Sequence, residues 1–315
     1  MKRDFTRVLD LCAEECFYLL ERAAFMKSMS RARGEYRPLR GKTLAMIFEK
    51  ASTRTRVSFE LGIKELGGAA LYLSASETQI GRGEAISDTA RVLSRYVDAI
   101  MIRTYAQETV EELARWATVP VINGLSDAHH PCQILADLFT VQELKGDLKR
   151  LKIAYIGDVN NMAHSWIEAA VLLGLNLAVA SPEEYGPAEK VKALARKSGK
   201  VLFTSDPVAA ASNADVINTD VWVSMDQESV RKTKMVDRLV GAPRMLSAKW
   251  YSKYMSTQSS TFTAIRMTNV PRCSRKKRRK SSCDSSRDAR QAPQRFSLFA
   301  PRRSSSGTRR FRRTT

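Results

Sequence analysis

Histidine, cysteine and long apolar runs are scarce in this 315-residue chain, and each scarcity closes off a class of function. Three histidines, at 129, 130 and 164, form no metal constellation. Five cysteines, at 12, 16, 132, 273 and 283, give neither a disulfide framework nor paired zinc-ligand spacing. Cys12 and Cys16 stand one helical turn apart and read as small core residues. No apolar stretch approaches the roughly 20 residues that span a bilayer, so no membrane role is expected. The start, Met1-Lys2-Arg3-Asp4-Phe5, is charged and runs straight into helical pattern, unlike a secretory signal. A cytoplasmic protein in a reducing compartment is the expectation.

Acidic residues are also missing, but only from one end. The net charge is +19 overall, yet residues 1–230 hold 28 Lys+Arg against 30 Asp+Glu, while residues 231–315 hold 24 against 3. A basic chain ordinarily raises nucleic-acid binding as a hypothesis. Here the excess says nothing about the first 230 residues.

What is present there is an alternation of strand and helix patterns with short joins. Apolar residues recur at helical spacing over Leu11–Ser30, and Thr43–Phe48 is a continuous apolar run of strand length. A helix over Thr55–Leu66 and a strand over Ala69–Leu73 follow, then a helix over Ser87–Tyr96 and a strand over Ala99–Arg103. Thr109–Trp116 reads as a helix, Val119–Ile122 as a strand, and Pro131–Lys145 as a longer helix opened by proline. The rhythm restarts with a strand at Leu151–Ile156. Helices over Met162–Leu173, Ala188–Lys197 and Asp206–Ser212 then alternate with strands over Leu175–Ala180, Lys200–Thr204 and Asp215–Thr219. The fold class is therefore α/β, with two parallel-sheet domains joined by the 131–145 helix. The expected boundaries are 1–132, 133–230 with the second domain incomplete, and a basic tail over 231–315. The pattern stops after about Ser229. Residues 272–315, with Arg275-Lys-Lys-Arg-Arg-Lys280, Ser304-Ser-Ser306 and Arg309-Arg-Phe-Arg-Arg313, are too polar and too charged to offset the entropy of folding, and disorder is expected.

In open α/β sheets, ligands sit beyond the C-terminal ends of strands. After the Thr43–Phe48 strand come Ser52-Thr-Arg-Thr-Arg56 and a helix. Hydroxyls, guanidiniums and helix N-terminal amides together make an anion cradle. An ordinary helix cap with surface arginines is the plainer alternative. Gly157-Asp-Val-Asn-Asn161 lacks the Gly-x-Gly-x-x-Gly of a dinucleotide site, so no cofactor of that kind is expected. His164 reads as a packing residue. Cys132 has no patterned base beside it and does not read as a nucleophile.

In this strand–helix setting Ser52-Thr-Arg-Thr-Arg56 resembles the carbamoyl phosphate motif of the aspartate/ornithine carbamoyltransferase family. Three further matches follow in order. They are His130-Pro-Cys-Gln133, Gly157-Asp-Val-Asn-Asn-Met162, and Asp220-Val-Trp-Val-Ser-Met-Asp-Gln-Glu228, the last resembling the ornithine-specific motif. The resemblance implies carbamoyl transfer from carbamoyl phosphate to L-ornithine, with no cofactor. It implies that Ser52, Thr53, Arg54 and Thr55 hold phosphate and that Arg103 binds phosphate and carbonyl oxygens. His130 would polarise the carbonyl, with Pro131, Cys132 and Gln133 alongside at the carbamoyl end. Gln79 would reach a neighbouring subunit's site, implying a homotrimer or a multiple of it. Asn161, Asp220, Ser224 and Met225 would contact ornithine. Arg54, Arg103 and His130 are the expected catalytic residues.

The tail departs from the family. Its His-Cys-Leu-Pro motif cannot lie beyond residue 230, because the histidines stop at 164. The jump in Arg and Ser from about residue 229 has the composition of a shifted reading frame, and an inactive polypeptide is the expectation. Two alternatives stand beside this reading: a non-catalytic α/β body with a nucleic-acid-binding tail, and a carbamoyltransferase for putrescine or aspartate.

Overall fold

Four short apolar runs in each half of the chain supply the strands. A computed structural model describes residues 2–79, 83–220 and 261–265. The first sheet comprises β1 (Thr43–Phe48), β2 (Ala69–Ser74), β3 (Ala99–Arg103) and β4 (Val121–Leu125). All are parallel, in the order β2-β1-β3-β4. The second comprises β5 (Lys152–Ile156), β6 (Asn176–Ala180), β7 (Val201–Thr204) and β8 (Val216–Asp220), parallel in the order β7-β6-β5-β8. A fifth strand, β9 (Thr261–Ile265), pairs antiparallel with β8. No element is expected from the sequence beyond 229. The five-residue alternation Thr-Phe-Thr-Ala-Ile has the period of a strand, but the run is too short to stand out from its surroundings.

The alternation of side chains along each strand divides the first core in two. Ala45, Ile47, Ile100 and Ile102 pack with Ala90 of α3 (Ile86–Leu93) and with Val110 and Leu113 of α4 (Gln107–Trp116). On the opposite face Leu44, Met46, Phe48 and Met101 meet Phe59 and Ile63 of α2 (Thr53–Glu65). In the second sheet Ile153, Tyr155, Leu177 and Val179 pack against Met162, Trp166 and Ala170 of α6 (Asn161–Leu173). The same cluster takes in Ile134, Leu138 and Val141 of α5 (Pro131–Lys145), and Cys16 and Leu20 of α1 (Ala13–Arg31). On the other face, the small residues Ala154, Ala178 and Ala180 meet Ala210 of α8 (Pro207–Ala211), while α7 (Glu189–Arg196) lies beside α6.

The first residues of the chain tie the two blocks together. Phe5 N donates to Val121 O at 2.8 Å and Asn123 N to Phe5 O at 2.8 Å, extending the first sheet past β4. Three residues on, Val8 N donates to Glu168 Oε2 of α6 at 3.0 Å, in the second block.

The structure moves several expected boundaries. The strand expected at Val119–Ile122 runs instead from Val121 to Leu125. Asn123-Gly124 looks like a turn in sequence, yet it lies inside β4, where Asn123 is fully buried. Its amide donates to Thr6 O at 2.8 Å and Ser126 Oγ at 3.3 Å, which replaces the solvation a turn would have provided. A Cβ on Gly124 would sit 2.7 Å from Met101 Sδ, so a larger residue there would force the buried Met101 side chain to shift. The helix expected to reach Tyr96 stops at Leu93, where Ser94 turns its hydroxyl back to Ala90 O at 2.7 Å. Cys16 is in the core as expected, but Cys12 is exposed. It precedes the first turn of α1, and its backbone N–H donates to Glu15 Oε2 at 2.9 Å. The disorder expected over 272–315 and the positions Ser224 and Met225 lie outside the described residues.

Candidate active site at the two switch points

Each sheet reverses its strand order once, and ligand crevices open where that happens. In the first sheet the reversal falls between β1 and β3, whose last residues, Phe48 and Arg103, are register partners. Glu49 N donates to Arg103 O at 2.9 Å, so the chain leaving β1 is tied to the end of β3. Ser52 follows in extended conformation as the N-cap of α2, and its Oγ accepts from Thr55 N at 3.3 Å. Thr53, Arg54 and Thr55 therefore form the first helical turn, where the positive end of the dipole favours an anion.

Arg103 lies beneath this turn. It is only 4% exposed, and its Nη1 donates to Thr55 Oγ1 at 3.2 Å. Its Nε is buried with no partner among the described residues. Burial, and then the nearby Arg54, lower the affinity of the guanidinium for its proton. No carboxylate forms an ion pair with Arg103 among the described residues. A buried cation lacking a counter-charge is costly to the empty protein, and a bound dianion would supply that charge.

The loop between β4 and α5 brings His130 to the same place. Pro131 starts α5, and His130 N donates to Ser165 Oγ of α6 at 2.9 Å. Burial, then the proximity of Arg103, push the His130 pKa down to about 3. The ring is thus neutral at physiological pH, with one N–H to donate, and its Nδ1 has no partner among the described residues. Cys132 contacts Asn123 O at 3.4 Å, and burial pushes its thiol up to about 12, which removes it as a nucleophile. Gln133 Nε2 donates to Asp137 Oδ1 at 3.0 Å, along the face of α5. Gln79 lies exposed past the end of the edge strand β2.

In the second sheet the reversal falls between β5 and β8. Asp220 ends β8, and the Gly157–Asn161 turn leads from β5 into α6. Asn160 Nδ2 donates to Asp220 Oδ2 at 2.6 Å. Asn161, expected at the acceptor, donates its amide to Ser126 O at 2.7 Å and so reaches across to the loop carrying His130. His164 Nδ1 lies 3.3 Å from Ala128 O.

Sequence reasoning passed over three contributors: Ser165, which holds His130 N; Ser126, which joins the two blocks; and Asn160. Only Asn160 left a signal, as an amide residue immediately before an apolar helical run.

Two family models cover most of the described chain. Residues 3–143 match the aspartate/ornithine carbamoyltransferase carbamoyl-P binding domain, and residues 149–241 match the Asp/Orn binding domain of the same family. The chain belongs to the aspartate/ornithine carbamoyltransferase family. Within it, the similar curated proteins are ornithine carbamoyltransferases. That of Anoxybacillus flavithermus is 57% identical over 238 residues, covering 74% of this chain and 76% of that protein. That of Pelobacter propionicus is 55% identical over 236 residues, covering 74% of this chain and 77% of that protein. The solved ornithine carbamoyltransferase of Pyrococcus furiosus superposes with a TM-score of 0.70 at 54% identity, covering 73% of this chain and 75% of that one. The family match stops at residue 241, close to where the charge changes.

Proposed function

We propose that this chain is built to transfer the carbamoyl group of carbamoyl phosphate to the distal amine of L-ornithine, giving L-citrulline and phosphate. One observation carries the reading: the buried, carboxylate-free guanidinium of Arg103 beside Arg54 and a neutral His130. Ser52, Thr53, Arg54, Thr55 and Arg103 hold the phosphate, and Arg103 also approaches the carbonyl. His130 donates to the carbonyl oxygen as negative charge grows there, and Pro131, Cys132 and Gln133 complete the carbamoyl end. Asp220 anchors the ammonium at the α-carbon of ornithine, assisted by Asn161, Ser224 and Met225. The distal amine, having lost a proton, attacks the carbonyl carbon. The bond from that carbon to the phosphate oxygen then breaks, the leaving phosphate takes the bonding electrons, and the second amine proton is released. Orientation and electrostatics supply the catalysis, with no covalent enzyme intermediate. An acidic acceptor anchor favours an amino acid with a free ammonium over a dicarboxylate such as aspartate.

The absence of histidine after residue 164 leaves the family's His-Cys-Leu-Pro motif without a counterpart, so slow turnover is expected despite tight carbamoyl phosphate binding. Calorimetry with carbamoyl phosphate, combined with citrulline and phosphate assays over an acceptor panel, tests both parts. Failure to bind carbamoyl phosphate overturns the site, and preference for aspartate or putrescine overturns the acceptor.

A homo-oligomer fits the outer face of the first sheet. Helix α2 buries none of its residues and leaves Val57 48% and Leu61 52% exposed. A second copy on this face would bring its Gln79 loop toward a neighbouring cradle. Light scattering should give a trimer or a multiple of it, and Leu61→Glu should yield monomers. A monomeric parent chain ends this reading. The free thiols Cys16 and Cys132 are compatible with a reducing cytoplasm.

A further inference from the structure

Asn160 has no role in the reading above, yet every polar atom of its side chain is engaged. Its Oδ1 accepts from Met162 N at 2.9 Å and Ala163 N at 3.3 Å, capping α6, and lies 3.2 Å from the Tyr155 hydroxyl. Backbone donors can face only the amide oxygen, so the other end of the amide must be nitrogen. That Nδ2 meets Asp220 Oδ2 at 2.6 Å. A flipped amide would set its oxygen against a carboxylate and its NH2 against backbone N–H groups. The orientation is therefore forced from both ends.

We propose that Asn160 is a positioning residue for the acceptor, locking the carboxylate plane of Asp220 at the mouth of the β5–β8 crevice. The proposal rests on the ornithine reading of that crevice. A carboxylate at the end of a strand turns easily about its last torsion. With Oδ2 held from the capped end of α6, Asp220 meets an incoming ammonium in a fixed orientation, which lowers the entropy lost on binding. Tyr155 supports the arrangement from below. It is fully buried, and burial, Asp220 and Asp158 all push its phenol upward, so it stays a neutral O–H within reach of Asn160 Oδ1 and Asp158 O.

Asn160→Asp separates this role from helix capping. Aspartate caps a helix as well as asparagine does and suits the dipole, but it removes the donor and sets a second carboxylate at the 2.6 Å contact. The experiment is calorimetry of the full chain with L-ornithine in inorganic phosphate at pH 7.5, alongside carbamoyl phosphate titrations and melting curves. The expected result is ornithine affinity lower by about 30-fold, carbamoyl phosphate affinity within about 2-fold, and a melting temperature no lower than the parent's. At about pH 5 the variant recovers part of its ornithine affinity, because one carboxyl of the pair takes a proton and becomes a donor. Tyr155→Phe costs only a few-fold. Asn160→Asp binding ornithine like the parent, or losing stability and carbamoyl phosphate affinity together, overturns the proposal. A parent that binds carbamoyl phosphate but no ornithine removes the acceptor reading, and this proposal with it.

Discussion

Between β1 and β3 the first sheet gathers two guanidiniums and a neutral imidazole, whereas between β5 and β8 the second sets the amide of Asn160 on one carboxylate, Asp220. The two crevices share a topology, a strand reversal with a capped helix leading out of it, and differ in charge. The first is built by elements within residues 43–133, and its buried Arg103 has no carboxylate partner among the described residues. Among the described residues the second contributes Asp220 and its support. On the proposed reading fold and chemistry are separable here: the same sheet architecture would host an anion site or a cation site according to a few residues at strand ends.

Four substitutions would break or sharpen that contrast. The largest effect should come from Arg103→Met, with carbamoyl phosphate affinity lowered at least about 100-fold, read by calorimetry. The empty protein should melt no lower than the parent, because an unpaired buried cation has been replaced by an apolar chain of similar length. A variant that destabilises the empty protein and spares binding would mean that Arg103 is structural. His130→Ala should lower citrulline formation about 100-fold while leaving carbamoyl phosphate affinity within a few-fold, since a donor to a developing oxyanion acts mainly in the transition state. Asp220→Asn should weaken ornithine by about 10-fold or more and leave the phosphate cradle alone. A loss at both sites would show that the crevices are not independent.

The smallest effect concerns stability and pH. Burial raises the Glu168 pKa to about 7, so between about 4.5 and about 7 the folded chain holds a proton that the unfolded chain releases, and stability falls as pH rises through that window. His129 and His130, lowered by burial to about 4 and about 3, act in the opposite sense, their contribution falling as pH drops below about 6.5. Glu168→Gln reproduces the protonated carboxyl, accepting from Val8 N and facing His129, whose Nδ1 lies 3.6 Å from Glu168 Oε1. At pH 8 it should stabilise the chain by about 1–3 kcal/mol and near pH 4 by almost nothing. Denaturant titrations at both pH values decide it. Equal gains at the two values would point to packing instead of ionisation.

The architecture could be read from sequence because apolar runs of strand length and helices of regular spacing dominate residues 43–220. The motif Ser52-Thr-Arg-Thr-Arg56 was equally open, since its residue types and its place after a strand state its chemistry. The contribution of Asn123-Gly124 was hidden, because a turn dipeptide becomes a strand only when a buried amide finds partners as far away as Thr6. The same holds for Ser165 and Ser126. A serine in a helix or loop is ordinary until a fold sets its hydroxyl or carbonyl against another domain's backbone or amide. Cys12 and Cys16 look alike by spacing, but α1 starts at Ala13, so Cys12 lies outside the helix as its exposed N-cap while Cys16 enters the core.

The first ten residues of the chain find their partners far downstream. Phe5 waits for β4, and Val8 waits for Glu168, 160 positions downstream. At about 5–20 residues per second of synthesis, the interval to Glu168 is roughly 10–30 s during which the amino-terminal turn lacks that native contact. Removing those residues would leave β4 unpaired along its outer edge and a buried carboxyl without its amide donor. This segment therefore acts as a strap between the two blocks.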